Sequence, residues 1–267
     1  MARMPGTTWK PIDRNYTPRS SKKSRVILHV ADSEATTLHG WFSTVGAKAS
    51  SHFYVARDGS IEQYVDTDHI SWTSGEGNSD SIGVETQGRA TGEWTPAQCK
   101  ALADIIRWAH QVHGVPLRLM ASSKASEHGV GWHRLGVDGY FPELPSMLAG
   151  RSQRGGGQKW SKDGGKPCPG DDRIPQIPGI LAAAKGETGQ AAKVTGGKTY
   201  KVTGAASLNV RTGPGTQHPR LGSAPRGTII TGTGKTSGGW IEGASPYMAQ
   251  RGQTGWWSGH ELTEVKA

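Results

Sequence analysis

The sequence predicts an α/β fold in which a mixed central sheet is flanked by helices, followed by a small all-β barrel. In the first two thirds of the chain, short apolar strands alternate with a capped amphipathic helix, which is typical of α/β layer folds. After residue 198, short β segments separated by turns replace that pattern. Glycine supplies 39 of the 267 residues, about twice its average share. So much glycine indicates many turns and short strands.

The predicted strands of the first part follow one another closely. Residues 25–30 (RVILHV) form a continuous apolar run, which is typical of a strand buried on both faces. Residues 52–56 and 60–65 flank residues 57–59 (RDG). Glycine relieves the positive φ of a tight turn, so we expect a hairpin there. Residues 82–85 (IGVE) supply a fourth strand.

One helix is delimited by its end signals. Thr95 is a capping residue directly before Pro96, and proline is favoured at the first helical position. Gly114 is the stop signal. Between them one helical face carries five apolar residues: Leu102, Ile105, Ile106, Ala109 and Val112. We expect this face to pack on the sheet.

The chain divides into two predicted domains. Residues 185–198 (KGETGQAAKVTGGK) are rich in Gly, Thr and Ala, which is typical of a flexible linker. We therefore predict a first domain at residues 1–186, a linker at 187–197 and a second domain at 198–267. The second domain is expected to contain five short strands, at 199–202, 207–210, 227–231, 240–242 and 255–258.

The chain is basic, with 31 Lys and Arg against 22 Asp and Glu and a net charge of +9. An anionic partner is therefore expected. Nucleic acid and a bacterial wall that bears teichoic acid are both polyanions, and charge alone does not choose between them. The sequence has no zinc-finger spacing, RNP-like motif or Lys/Arg-rich helix, so we predict no nucleic-acid binding.

Neither a membrane nor a disulfide framework is predicted. No apolar run approaches the ~20 residues needed to cross a bilayer, and the first residues lack the apolar segment of a signal peptide. We expect a protein that is made in the cytosol and does not insert into membranes. The two cysteines, Cys99 and Cys168, are too few for a disulfide framework. Cys99 is expected to be a half-buried filler, and a bond between the two is not expected in the cytosol.

Three residues of the first domain form a candidate metal set. His29 follows an apolar strand, His133 lies in residues 129–134 (GVGWHR), and Cys168 lies in residues 166–170 (KPCPG). Two imidazoles and a thiolate would hold zinc and leave its fourth tetrahedral position open for water, which is the catalytic arrangement. Each residue alone is equally typical of a buried structural side chain. His128 is the alternative to His133 as the second ligand.

The first domain resembles the type 2 N-acetylmuramoyl-L-alanine amidases, zinc enzymes that share a fold with the peptidoglycan recognition proteins. The resemblance runs from about residue 26 to residue 181 and rests on four motifs in the family's order: residues 51–53 (SHF), 57–65 (RDGSIEQYV), 81–85 (SIGVE) and 166–170 (KPCPG). It implies that His29, His133 and Cys168 bind Zn²⁺. It also implies that Glu85 and Lys166 support catalysis.

The implied reaction is hydrolysis of the amide bond between N-acetylmuramic acid and L-alanine in peptidoglycan, as in phage endolysins, which reach the wall after release from the host cytoplasm. Zinc would provide hydroxide near neutral pH. Glu85 would move the proton, and Lys166 would stabilise the oxyanion. Two departures from the family pattern stand out. Ser51 replaces a Tyr that is catalytic in some members, and residues 72–75 (WTSG) lack a His that others carry after the Trp.

The second domain resembles a bacterial SH3 domain. Residues 207–215 (SLNVRTGPG) are a strong mark of that family. Such domains bind peptidoglycan in wall enzymes, so we expect wall binding, with Trp256 or Trp257 and Tyr247 as groove residues. The other interpretation is a structural barrel whose Trp side chains only fill its core.

Two further expectations concern the whole protein. We expect a monomer that acts on peptidoglycan, and a mobile loop over the cleft between His133 and Cys168, where the chain is rich in Gly and Arg. The alternative function is a non-catalytic peptidoglycan-binding protein of the same fold, because some relatives lost a zinc ligand and only bind. The intact ligand set favours catalysis. A nucleic-acid-binding protein, the third class, rests on charge alone.

Overall fold

The computed structural model describes residues 2–139, 149–186, 197–204, 207–245, 248 and 254–265. The chain forms two compact units, residues 1–186 and 187–267. Residues 187–196 of the predicted linker lie outside the described residues. In the described part of the chain, no helix is both long and apolar enough to cross a bilayer.

The first unit is built on a mixed sheet. Its strands are β1 (Thr8–Trp9), β2 (Tyr16–Thr17), β3 (Arg25–Leu28), β4 (Phe53–Val55), β5 (Ile61–Gln63), β6 (Ile70–Ser71), β7 (Ser81–Thr86) and β8 (Gly129–Trp132). Strands β2 and β6 pair with each other, and the rest form a six-stranded sheet in the order β1-β5-β4-β7-β3-β8. Strands β4 and β5 are antiparallel, and all other neighbours in this sheet are parallel. The predicted mixed sheet is confirmed.

The apolar run that predicts β3 lies in the centre of this sheet. Val26, Ile27 and Leu28 are fully buried, as expected for a strand covered on both faces. The hairpin predicted at residues 57–59 joins β4 to β5, and Gly59 has a φ of +86°. A Cβ at Gly59 would lie 2.9 Å from the carbonyl oxygen of Ala97. Glycine therefore permits both the turn and its close packing on the next helix.

The first unit contains the helices α1 (His39–Phe42), α2 (Pro96–His113) and α3 (Ile177–Ala184). Helix α2 begins and ends where the sequence predicts, with a capping box at Thr95 and a left-handed Gly114. The predicted apolar face is buried from Leu102 to Ala109. Val112 differs, because it is 49% exposed. The buried face of α2 ends one turn before the helix does.

The second unit is built on an antiparallel sheet. Its strands are β9 (Thr199–Val202), β10 (Ser207–Arg211), β11 (Arg220–Pro225), β12 (Ile229–Ser237), β13 (Trp240–Ala244), β14 (Gly255–Ser258) and β15 (Leu262–Val265). They form a seven-stranded sheet in the order β11-β10-β14-β13-β12-β9-β15. Strands β11 and β15 were not predicted. Their apolar residues Leu221 and Val265 are 53% and 40% exposed, so neither segment carries the alternating pattern of a half-buried strand.

Candidate active site

The topology of the first sheet brings the predicted site residues to one edge. Strands β7, β3 and β8 are parallel neighbours with β3 in the middle. Glu85 lies near the end of β7, His29 follows β3, and His133 follows β8. Because parallel strands end at the same edge of a sheet, the three side chains converge there. Cys168 reaches the same place from a loop.

The donor atoms of His29, His133 and Cys168 all lie within 4.8 Å of one another, and all three residues are buried. The two imidazole rings have their centroids 4.5 Å apart, with an interplanar angle of 48°. His128, the alternative second ligand, does not belong to this cluster. The structure therefore brings together the predicted set of two imidazoles and one thiol.

One ring nitrogen of His133 makes a hydrogen bond, and the other has no hydrogen-bond partner. Its Nε2 donates to the carbonyl oxygen of Trp160 at 3.1 Å, whereas Nδ1 is buried without a hydrogen-bond partner. Trp160 packs closely on Gly136, where a Cβ would lie 2.2 Å from Cγ of the indole. An unsatisfied buried nitrogen is costly. A metal ion bound at Nδ1 would satisfy it.

His29 is oriented by Ser74. Its Nε2 lies 3.2 Å from Oγ of Ser74, and its Nδ1 lies 3.9 Å from Oε1 of Glu85. Burial lowers the pKa of His29 well below its usual value, so the ring is neutral near pH 7 and the contact with Glu85 is not an ion pair. When Nε2 donates to Ser74, Nδ1 is left unprotonated and able to bind a metal.

Sequence reasoning missed the role of Ser74. In the sequence, its segment, residues 72–75, stands out only because it lacks the His that some family members carry. The segment comes close to the sheet because β7 carries Gly83, where a Cβ would lie 2.2 Å from Oγ1 of Thr73. Glycine in the SIGVE motif is therefore the signal that could have shown that this loop packs against the site.

Glu85 is a half-buried carboxyl group with spare hydrogen-bonding capacity at a buried oxygen. Its side chain is 17% exposed, and its Oε2 has no hydrogen-bond partner. Burial raises the pKa of Glu85 to about 7, and the positive charge of Lys166 acts against this rise. Lys166 itself is exposed. The site thus has a carboxyl group that can hold or release a proton near neutral pH, and a cation at its rim.

Cys168 is held against the backbone that follows β3. The amide of Val30 donates to its Sγ at 3.3 Å. Burial, together with the charge of Glu85, raises the pKa of the Cys168 thiol to about 12, although Lys166 and Arg134 act in the opposite direction. Burial therefore outweighs the charge of Lys166, which favours the thiolate. Both Cys168 and Cys99 are free cysteines.

Two other expectations have structural outcomes. Ser51, at the position of the family's Tyr, donates its hydroxyl to the carbonyl of Phe53 at 2.8 Å, so it turns towards the backbone. Of the loop expected over the cleft, residues 140–148 lie outside the described residues. The part that follows carries Trp160, which is 2% exposed and belongs to the hydrophobic core. Trp160 thus anchors this part in the core, whereas residues 162–167 are exposed.

Comparison with known proteins places this site in a family. Residues 16–171 match the family described as N-acetylmuramoyl-L-alanine amidase. The chain belongs to this family. Residues 206–263 match the bacterial SH3 domain, so this amidase-family protein carries an SH3 domain after the domain that contains His29, His133 and Cys168.

Individual relatives are similar over parts of the chain. N-acetylmuramoyl-L-alanine amidase A of Achromobacter lyticus is 32% identical over 103 residues, which are 37% of this chain and 58% of that protein. The chain thus spans less than two thirds of that relative. The solved amidase LysC from Clostridium intestinale URNW has 15% identity and a TM-score of 0.46, covering 68% of this chain and 99% of that one. A mutant endolysin from Bacillus subtilis has 22% identity and a TM-score of 0.38, covering 50% and 85%.

The SH3 domain of this amidase-family protein contains a groove of about 440 Å³. It lies at the β12–β13 hairpin, and Trp240 and His260 are among its lining residues. Of the predicted groove residues, Trp257 is only 1% exposed and donates its Nε1–H to the carbonyl of Gly243. It is a core residue. Trp256 is half-buried, and Tyr247 lies outside the described residues.

Proposed function

We propose that this protein is a zinc-dependent peptidoglycan hydrolase that cleaves the amide bond between N-acetylmuramic acid and L-alanine. The observation that carries the proposal is the buried cluster of His29, His133 and Cys168, whose donor atoms lie within 4.8 Å of one another. Membership of the amidase family supports the same reaction. A protein that only binds peptidoglycan has no need for such a cluster beside a carboxyl group.

The residues present fit a zinc ion. Two imidazoles and one thiolate are a zinc donor set, and the unpartnered Nδ1 of His133 is a buried atom that the ion would satisfy. The carbonyl of Trp160 accepts from Nε2 of His133, and the hydroxyl of Ser74 is able to accept from Nε2 of His29. Bonds donated by the Nε2 atoms leave the Nδ1 atoms unprotonated for a metal. When bound, zinc supplies Lewis acidity and thereby a nucleophile from water near neutral pH.

Glu85 is the residue that we propose moves the proton. Its carboxyl lies beside His29, at 3.9 Å from Nδ1, and a pKa of about 7 allows it to accept a proton and return it at neutral pH. Lys166 would stabilise the negative charge that develops on the carbonyl oxygen of the substrate. Its exposure leaves the ammonium group free to meet a polymer that arrives from solvent.

We propose that the SH3 domain attaches the protein to the wall. The groove at Trp240 and His260 combines an aromatic ring with small polar residues, a lining that suits a polar polymer. The net charge of +9 favours approach to an anionic wall. We propose that the protein acts as a monomer without nucleic acid.

A metal analysis combined with an assay for new amino termini tests the catalytic proposal. The full chain should contain one zinc ion and release amino groups from soluble muropeptides, and chelator should abolish the release. His133→Ala should lose zinc and activity, whereas the matched control His128→Ala should keep both. Full activity in chelator, without zinc, would contradict the proposal. Equal losses in the two variants would leave the second ligand unassigned.

A further inference from the structure

Buried arginines donate hydrogen bonds to the loop that carries Cys168, on both sides of the cysteine. His29 and His133 follow strands and are placed by the sheet itself, but Cys168 is not. Its neighbours Pro167 and Pro169 have no N–H to donate. Their carbonyl oxygens, however, both accept hydrogen bonds from guanidinium groups.

Arg134 holds the first side of the loop. Its side chain is 1% exposed, its Nη2 donates to the carbonyl of Pro167 at 2.5 Å, and its Nη1 donates to Asp171 at 2.5 Å. Its backbone amide donates to the carbonyl of Cys168 at 3.0 Å. Since Arg134 directly follows His133, one dipeptide connects the second histidine to the cysteine loop.

Arg173 holds the second side and is also 1% exposed. Its Nη1 donates to the carbonyl of Pro169 at 3.3 Å and to the carbonyl of Arg89 at 2.5 Å. Arg89 lies in the chain that leaves β7, the strand of Glu85. The guanidinium also fills the space beside Gly88, where a Cβ would lie 2.6 Å from Nη2. Arg173 therefore ties the cysteine loop to the segment after β7.

We propose that Arg134 and Arg173 are positioning residues that hold Cys168 in place as a metal ligand. The inference rests on the metal site of the proposed function. Arg134 donates through both Nη atoms to Asp171 and Pro167 of the cysteine loop, and Arg173 bridges that loop to the segment after β7 through Nη1. Lysine has a single nitrogen, so it cannot make the two-nitrogen set of Arg134, and it lacks the planar group that fills the space beside Gly88 at Arg173. Arg→Lys variants should thus loosen the loop while keeping the charge.

Arg25 provides a matched control in the same unit. It is fully buried, and it donates to Gln158 at 2.6 Å and to the carbonyl of Ala125 at 2.9 Å. None of its described contacts involves the cysteine loop. Arg25→Lys therefore removes a buried guanidinium of the same kind without touching Cys168.

Cobalt binding to the full-length protein reports the ligand directly. Wild type and Arg25→Lys should bind Co²⁺ with a thiolate-to-metal charge-transfer band. Arg134→Lys and Arg173→Lys should bind Co²⁺ about 10–100-fold more weakly, with a weaker band, while unfolding at the same denaturant concentration as Arg25→Lys. The inference is overturned if the arginine variants and Arg25→Lys lose the same affinity. A wild-type protein that binds no Co²⁺ overturns the metal site itself.

Alkylation of the metal-free protein gives a second readout that does not involve a metal. In a Cys99→Ser background, iodoacetamide should modify Cys168 at least about tenfold faster in Arg134→Lys than in Arg25→Lys, because a loosened loop exposes a thiol that is otherwise 4% exposed. Arg173→Lys serves as the second variant should Arg134→Lys fail to fold. Equal rates in all variants would show that the arginines do not position Cys168, even if zinc binding and lysis are normal.

Discussion

His29 and His133 each have Nε2 beside a group able to accept a hydrogen bond, and a bond donated by Nε2 leaves Nδ1 as the atom that can meet a metal. Ser74 serves His29 and the carbonyl of Trp160 serves His133. That His29, His133 and Cys168 lie together could be predicted, because their residue types and motifs carry metal-binding chemistry. The acceptors could not, because a serine or a backbone carbonyl becomes a partner only when the fold brings it there. At the residue scale, sequence predicts the ligands better than it predicts what orients them.

Glu85→Gln should separate catalysis from metal binding. The amide cannot accept the proton, so release of amino groups from soluble muropeptides should fall by about 10²–10⁴-fold, while the zinc content stays at the wild-type level. Glu34→Gln is the control, since Glu34 pairs with Arg57 at the surface. A Glu85→Gln protein within a few-fold of wild type would show that another group is the base.

Lys23 predicts a pH dependence of stability that is independent of the active site. It is 1% exposed, and burial lowers its pKa from 10.5 to about 8. Between these values the unfolded state binds more protons than the folded state, so the free energy of unfolding should rise with pH. Relative to Lys23→Met, the wild type should gain about 2 kcal/mol between about pH 7.5 and about pH 10.

Denaturant unfolding of both proteins at the two pH values measures this difference. The comparison with Lys23→Met removes the contribution of all other groups that titrate in the same range. Lys100→Met provides the control, because Lys100 is 79% exposed and the substitution also removes one lysine ammonium. The prediction would be contradicted if the free energies of unfolding of wild type and Lys23→Met differed by the same amount at both pH values.

Secondary-structure elements with local end signals were predicted closely, and those defined by partners were not. Helix α2 is bounded by a capping residue, a proline and a glycine, which act within the helix itself. Strand β1, in contrast, has two residues and is defined by its pairing with β5. Its sequence carries no periodicity to detect. The first helical turn of α2 also binds its surroundings, because the Thr95 hydroxyl donates to the carbonyl of Arg57 in the β4–β5 turn.

Thr95→Ala should destabilise the first unit by about 1 kcal/mol. The variant loses the bond from the amide of Gln98 to Oγ1 of Thr95, 3.1 Å long, and the bond to Arg57. Thr95→Ser keeps the hydroxyl and should recover most of the loss. Denaturant unfolding compares the three proteins. If alanine and serine are equally destabilising, the hydroxyl is not the source of the stability.

At the scale of the whole molecule, the main hydrophobic core of each unit, among the described residues, is separate from that of the other, which explains why the sequence shows two patterns. One core extends from β3 and β7 to α2 and α3, and the other fills the barrel around Val210, Ile230 and Trp257. Each core has its own sequence pattern. Strands alternate with a helix in the first unit, and short strands follow one another in the second. The groove of the second unit was harder to predict, because aromatic residues of a small β domain serve equally as core or groove residues. Trp257 is core, whereas Trp240 lines the groove.

Truncation should separate the two activities. Residues 1–186 contain the whole metal cluster, so they should release amino groups from soluble muropeptides at nearly the full rate. They should clear insoluble walls more slowly, because a tethered barrel raises the local concentration of the enzyme only on a polymer that it can bind. Residues 196–267 should sediment with walls without cutting them.

The ratio of full-length to truncated activity on the two substrates decides the outcome. A ratio near one on soluble muropeptides and well above one on walls is expected, since only the wall offers a second attachment point. Equal loss on both substrates would mean that the barrel supports the catalytic fold. No loss on either would mean that the barrel does not target the enzyme. A Trp240→Ala variant of the full chain should then resemble the truncated protein on walls, because it removes the aromatic ring of the groove and leaves the metal cluster intact.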